Sequence, residues 1–163
     1  MPTPSERVRR SPAFEATQVS SQSANGNNRY TTVTVSSAEL LALRATPKSL
    51  VPAPGAGRIL EFVSMMAIAQ NGTAYVVGTN DLAVRYKDGS GDIISQTLDT
   101  AGFLDQTSAI MSQVGPLATD SKTPKTDCDN QPLVLHNTGA GELTTGTGTL
   151  DLKITYRVWK SGW

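Results

Sequence analysis

Residues 149–159 read TLDLKITYRVW. Leu150, Leu152, Ile154, Tyr156 and Val158 fall on one side of an extended chain, and Asp151, Lys153, Thr155 and Arg157 on the other. Successive side chains of a strand point to opposite faces, whereas a helix would scatter these apolar residues around its circumference. A half-buried strand is expected, its apolar face built into a core.

The same period recurs outward from this stretch. Residues 81–87 place Leu82, Val84 and Tyr86 on one face and Ala83, Arg85 and Lys87 on the other; DGSG at 88–91 then turns the chain into residues 93–98, a hairpin. Residues 30–35, 109–114 and 133–136 read as further short strands. Residues 58–70 are apolar and fit two periods: Ile59, Phe62, Val63 and Met66 would line a helix, while Leu60, Phe62, Met66 and Ile68 line a strand with Ser64 between them. The strand is adopted. Ser36 and Glu39 stand at capping-box spacing before Leu40, Leu41 and Leu43, which predicts a helix of about two turns stopped by Pro47. Residues 101–106 read as a helical turn and residues 119–132 as a polar loop. The four glycines of residues 137–149 predict a wide or mobile hairpin loop.

The stretch PGAGR at 54–58 has the look of a phosphate loop but not its spacing. A Walker A loop needs four residues between its glycines and then Lys and Ser or Thr, and here Gly55 and Gly57 are one residue apart and followed by Arg58 and Ile59. The dinucleotide fingerprint needs a third glycine where Leu60 stands. With Pro52 and Pro54 before them, these glycines shape a corner. Six to eight short strands, one brief helix and no βαβ alternation define an all-β chain, a two-layer sandwich with jelly-roll-like winding.

A chain of 163 residues suits one domain and can bury roughly 70 % of its unfolded surface. Fourteen cations balance fourteen carboxylates, which argues against a nucleic-acid or anionic-membrane partner. One cysteine, Cys128, excludes an intrachain disulfide, and one histidine, His136, offers little to a structural zinc. The first ten residues carry the charges of a secretory leader without an apolar stretch behind them, and no run approaches the ~18 apolar residues of a membrane span, so the expectation is a protein that is neither exported nor membrane-bound. Asn71-Gly72-Thr73 fits a glycosylation sequon and reads as a polar turn.

Residues 1–30 are rich in Pro, Ser, Asn and Gln and show no period, so they are expected to form an extended arm, disordered alone, ahead of a body at 31–163. Arg7, Arg9, Arg10 and Arg29 outnumber Glu6 and Glu15, and Val8, Phe14, Val19 and Tyr30 are spaced like anchors along a string. These eight cationic and apolar residues are the candidate partner contacts. Trp159 and Trp163 are the candidate oligomer contacts, since a monomer would need to cover them.

Catalytic chemistry finds little support. His136 sits within an apolar strand, and Cys128 is flanked by Asp127 and Asp129, which raise a thiol's pKa and oppose activation. Asp127, Asp129 and Asn130 resemble the first ligands of a calcium loop, but Pro132 occupies the place of its turn glycine. No catalytic residue, metal or cofactor is assigned, and an enzyme is not expected.

The runs LLALRATPKSLVPAPGAGRILEF, NDLAVRYKDGSGDII and NQPLVLHNTGAGELTTGTGTLDLKITYRVW together resemble a group of small tailed-phage and prophage proteins. In that group a helix-turn with a Thr-Pro pair leads to a Leu-Val-x-Ala-Pro-Gly-Ala-Gly corner, followed by a Leu-Ala-x-Arg-Tyr strand and a final Lys-x-x-Tyr-Arg-Val strand. The resemblance covers about residues 38–159 and implies a virion structural role, notably that of a head decoration or cement protein. It further implies a β-sandwich or jelly-roll body, commonly a homotrimer, bound to the major capsid protein on the outer surface of the capsid. It carries over no catalytic residue. A tail or neck component shares the same fold and composition. A carbohydrate-binding sandwich would need aromatics and carboxylates gathered on one exposed face, which Trp159, Trp163 and the strand tyrosines do not supply.

Overall fold

The stretch that opened the reading is β7 (Leu150–Lys160), and it organises one of two sheets. The computed structural model describes residues 26–119 and 122–162. β7 pairs antiparallel with β1 (Arg29–Val35) on one side and with β3 (Arg58–Ala69) on the other, and β3 pairs in turn with β5 (Ile110–Val114). The second sheet has β6 (Leu133–Asn137) between β2 (Lys48–Val51) and β4 (Leu82–Tyr86), again antiparallel.

The sheet orders are β1-β7-β3-β5 and β2-β6-β4. After β4, residues 92–98 turn back along it, bridging Arg85 to Ile93 and Leu82 to Leu98, and so occupy the outer edge of the smaller sheet. The chain crosses between the sheets after β1, β2 and β3, again on entering β5, and after β5 and β6, which is the winding of a jelly roll. The all-β sandwich is therefore as expected.

The apolar face of β7 is buried at Leu150, Leu152, Ile154 and Val158, with Tyr156 half-buried. It packs on Leu60, Phe62, Met65 and Val35 of its own sheet and on Leu82, Val84, Leu133 and Leu135 of the other. Tyr86 adds a polar tie through this core, its hydroxyl donating to the Leu60 carbonyl of the opposite sheet. α1 (Ser37–Leu41) carries the expected capping box, with Ser36 and Glu39 bonding reciprocally. It is shorter than two turns and continues as turns to Thr46.

Three local readings are corrected. In β3 the alternation does not run through: the register slips between Phe62 and Ser64, and one extra residue on the bulged strand inverts every side chain beyond it. Leu60 and Phe62 point inward and so do Met65, Ala67 and Ala69, whereas Met66 and Ile68, expected on the inner face, lie on the outer one. Residues 101–106 form the turn expected of them, with the Phe103 and Leu104 N–H groups both donating to the Thr100 carbonyl, the second an i+4 bond of helical type. The polar loop at 119–132 contains α2 (Lys125–Cys128). The glycine-rich stretch after β6 is no hairpin, because β6 and β7 belong to different sheets. It is a crossover, pinned by buried Leu143, by a bridge of Thr144 to Val76, and by the Tyr75 hydroxyl on the Gly148 carbonyl at 2.5 Å.

Gly55 and Gly57 both adopt left-handed φ (97° and 72°), which a corner between β2 and β3 requires and a Cβ disfavours. The Gly55 N–H donates to the Asn130 side chain, and the Gly57 carbonyl accepts from Ser161. The Gly55 N–H, a donor that a phosphate loop would offer to its anion, is bound within the protein itself.

Candidate functional site

The antiparallel register of β3 and β7 sets Ile59 opposite Trp159 and Glu61 opposite Arg157 on the outward face of the larger sheet. Glu61 accepts from the Trp159 indole N–H at 2.6 Å and pairs with Arg157 at 3.3 Å. Arg157 Nε donates to the Asn28 side chain at 2.7 Å, just ahead of β1. The indole ring of Trp159 lies against Gly26, so closely that a Cβ there would sit 2.9 Å from it, and the Gly26 N–H donates to the Val158 carbonyl. Arg157, Val158 and Trp159, the first and last of them braced by Glu61, thus hold residues 26–28 against the end of β7.

The same face carries four of the five large apolar side chains exposed among the described residues: Tyr30, Met66, Met111 and Trp159, with Val76 elsewhere. Tyr30 is 71 % exposed, and the Lys153 ammonium lies 4.9 Å from its ring centroid, a cation–π arrangement. Ser64, Met66, Gln113, Lys153 and Thr155 line a shallow open concavity beside it. Chemically this is a surface of aromatic rings, thioethers and fixed charges.

Arg29 and Tyr30, read in the sequence as the end of the arm, are the first two residues of β1, opposite Tyr156 and Thr155. Arg7, Val8, Arg9, Arg10, Phe14, Val19 and Trp163 lie outside the described residues. Trp159 is placed where Glu61, Arg157 and Gly26 converge. Sequence reasoning passed over Glu61, Asn28 and Gly26, since their meeting depends on the register across the sheet, which no local pattern encodes.

The candidate chemical groups are engaged structurally. His136 is buried in β6 with Nε2 3.2 Å from the Arg44 carbonyl, an acceptor that fixes the proton on Nε2. Burial, and then the nearby Arg85 charge, lower its pKa and keep the ring neutral. Burial raises the Cys128 thiol, and Asp129 and Asp127 add to the effect, in the direction opposite to nucleophile activation. Asp129 accepts from the Ser161 hydroxyl at 3.1 Å and Asn130 from the Gly55 N–H at 2.9 Å. Two of the residues that resembled calcium ligands, Asp129 and Asn130, therefore fasten the corner and the end of β7 together. Among the described residues no group of three or more His, Cys, Asp or Glu is placed to hold a metal ion.

No family model matches the chain, and no curated protein matches it. Among solved structures, a chain of the cyanophage Pam1 capsid asymmetric unit is similar over 82 % of this chain and 86 % of that one, with 15 % identity and a TM-score of 0.42.

Proposed function

We propose that this protein is a structural component of a tailed-phage virion, a decoration or cement protein that binds the major capsid protein on the outside of the head and bridges neighbouring subunits. It works by adhesion, without catalysis or cofactor, as a homotrimer. The observation that supports this reading is the meeting in space of the three stretches that carry the phage-protein resemblance. The strand at 82–86 and the strand at 153–158 both meet the first residues of β3, Tyr86 through the Leu60 carbonyl and Arg157 through Glu61, and the corner at 50–57, which leads into β3, is bonded to the end of β7 through Gly57 and Ser161. Together they build the end of the sandwich to which the 25 preceding residues are joined.

A clamp of this kind needs no strong single contact. Many copies on a symmetric lattice, each engaged at more than one point, turn modest affinities into firm retention through effective concentration. Internal pressure must then break the clamp contacts as well as those of the shell. The test is co-sedimentation of the purified protein with empty capsids of the phage that encodes it, followed by heating. Saturable binding and a raised capsid disruption temperature are expected; absence of binding, or binding only to tails, refutes the proposal.

A further inference from the structure

The neutrality of the chain conceals a separation of charge along the sandwich. Arg7, Arg9, Arg10, Glu6, Glu15 and Asp120 lie outside the described residues, which leaves eleven cations and eleven carboxylates within them. One end of the sandwich holds α1, the turns before β4 and after residue 98, and the crossover into β7. It carries six of those carboxylates, Glu39, Asp81, Asp99, Asp105, Glu142 and Asp151, against two cations, Arg44 and Lys48. The other nine cations share the rest of the molecule with only five carboxylates.

The opposite end carries the corner, the loop at 129–132 and residues 160–162. There Arg58 and Lys160 stand directly opposite each other in the β3–β7 register, both exposed. Like charges facing across a sheet destabilise it. Among the described residues neither makes an ion pair, nor does exposed Lys125 nearby, whereas Glu61 is matched by Arg157 and Asp129 is bonded to Ser161. Glu61 and Asp129 are thus bonded within the protein, while Arg58, Lys160 and Lys125 face no carboxylate partner among the described residues. The loops that present them are fixed by the Asn130–Gly55 and Asp129–Ser161 bonds. The segment containing Arg7, Arg9 and Arg10 joins the body at the same end, through Gly26 on Val158.

We infer that this corner end, centred on Arg58 and Lys160, is the surface turned toward the partner, and that the partner surface it fits is an acidic patch of protein, with the carboxylate-rich end directed away. The inference rests on the capsid-binding reading and adds its orientation. The unmatched cross-strand pair is relieved when a carboxylate approaches it, and the interspersed Glu61, Asp127 and Asp129 fit a mixed protein surface better than a uniform phosphate backbone.

The experiment uses the full chain and empty capsids, with affinity measured by co-sedimentation over a range of NaCl concentrations. Lys160→Glu converts the like-charged pair into an opposite one, so it is expected to preserve or raise thermal stability while weakening capsid binding by about tenfold and flattening its salt dependence. Asp105→Lys, a charge change of equal size at the far end, is expected to leave affinity within about twofold. Unchanged binding by Lys160→Glu, or equal effects of the two variants, overturns the orientation. Binding of duplex DNA by the wild type as tightly as capsids, lost in Lys160→Glu, overturns the acidic-protein partner. If the wild type binds no capsid at any salt concentration, the underlying proposal of a capsid protein fails instead.

Discussion

Truncating Met65 and Met66 to alanine, one at a time, tests the bulge in β3 that separates the structure from the simple reading of its sequence. Had the alternation of Leu60 and Phe62 continued, Met66 would face the core and Met65 the solvent. The slip between Phe62 and Ser64 reverses them: Met65 is 1 % exposed and Met66 37 %. Each substitution removes the same three heavy atoms, so the difference in cost reports location alone. For Met65, loss of three buried groups at ~0.8 kcal/mol each, together with a cavity that the flanking sheets cannot close, comes to about 2.5–4 kcal/mol. For Met66, at the rim of an open concavity beside Gln113 and Lys153, the cost is about 0.5–1 kcal/mol, since solvent replaces the lost side chain. In a domain of this size 1 kcal/mol corresponds to about 3–4 °C in Tm. Met65→Ala should therefore melt about 10 °C below the wild type and Met66→Ala within about 4 °C. Urea titration at matched concentrations provides the free energies. Equal losses, or a larger one for Met66→Ala, would refute the bulge and with it the assignment of the outer face.

Glu39 is held at a pKa of about 2, below its ordinary 4.5, first by its bond to Lys48 and then by the backbone and hydroxyl of Ser36. Its folded pKa is depressed, so its stabilisation is present above about pH 4.5 and is lost as pH falls toward 2; Glu39→Gln should flatten that part of the stability profile, by a modest amount because the side chain is 43 % exposed. Gly146→Ala should destabilise by more than about 2 kcal/mol in thermal melts, because φ is +87° and the added Cβ would lie 2.4 Å from the Tyr75 ring, so a variant as stable as the wild type would contradict the pinned crossover. A chain beginning at Gly26, which keeps the bond to Val158, should melt within about 2 °C of the full protein and remain a trimer in native mass spectrometry, yet leave capsids at a lower temperature. Release at an unchanged temperature would remove the arm from the clamp, and monomers alone would remove the trimer.

What the sequence revealed was whatever one strand could encode by itself. The inner face of β7 and the capping box of α1 are local patterns, and both are present as read. The corner at 52–57 was legible because proline and glycine report backbone constraint directly. β2 was missed because four residues, Lys48-Ser-Leu-Val51, are too few to establish a period. α2 was missed because one turn inside a polar loop has no amphipathic signature. The bulge in β3 arises from pairing with β7, and the crossover after β6 from the destination of the next strand; both are properties of two segments together. The candidate site was less legible still. Trp159 could be singled out by size, but its grip on Glu61 and the opposition of Arg58 to Lys160 depend on the register. A net charge near zero hid the separation of charge altogether.

The position of β7 in the larger sheet governs when the molecule can come into being on the ribosome. β1 and β3 are not paired with one another: β1 is joined only to β7, and β3 to β7 and β5, so the two halves of the sheet meet only through β7, which follows all the other described strands in the chain. Until Trp159 has been made and has cleared the exit tunnel, the earlier strands expose Val33, Val35, Leu60 and Met65 with no central strand to bury them, and RYTTVTV remains open along both edges. Assembly of this sheet therefore waits for β7, a closing strand that must find partners made long before it. Pairings of such long sequence separation fold slowly, and the waiting chain is most vulnerable to association with its own copies while its strand edges are open.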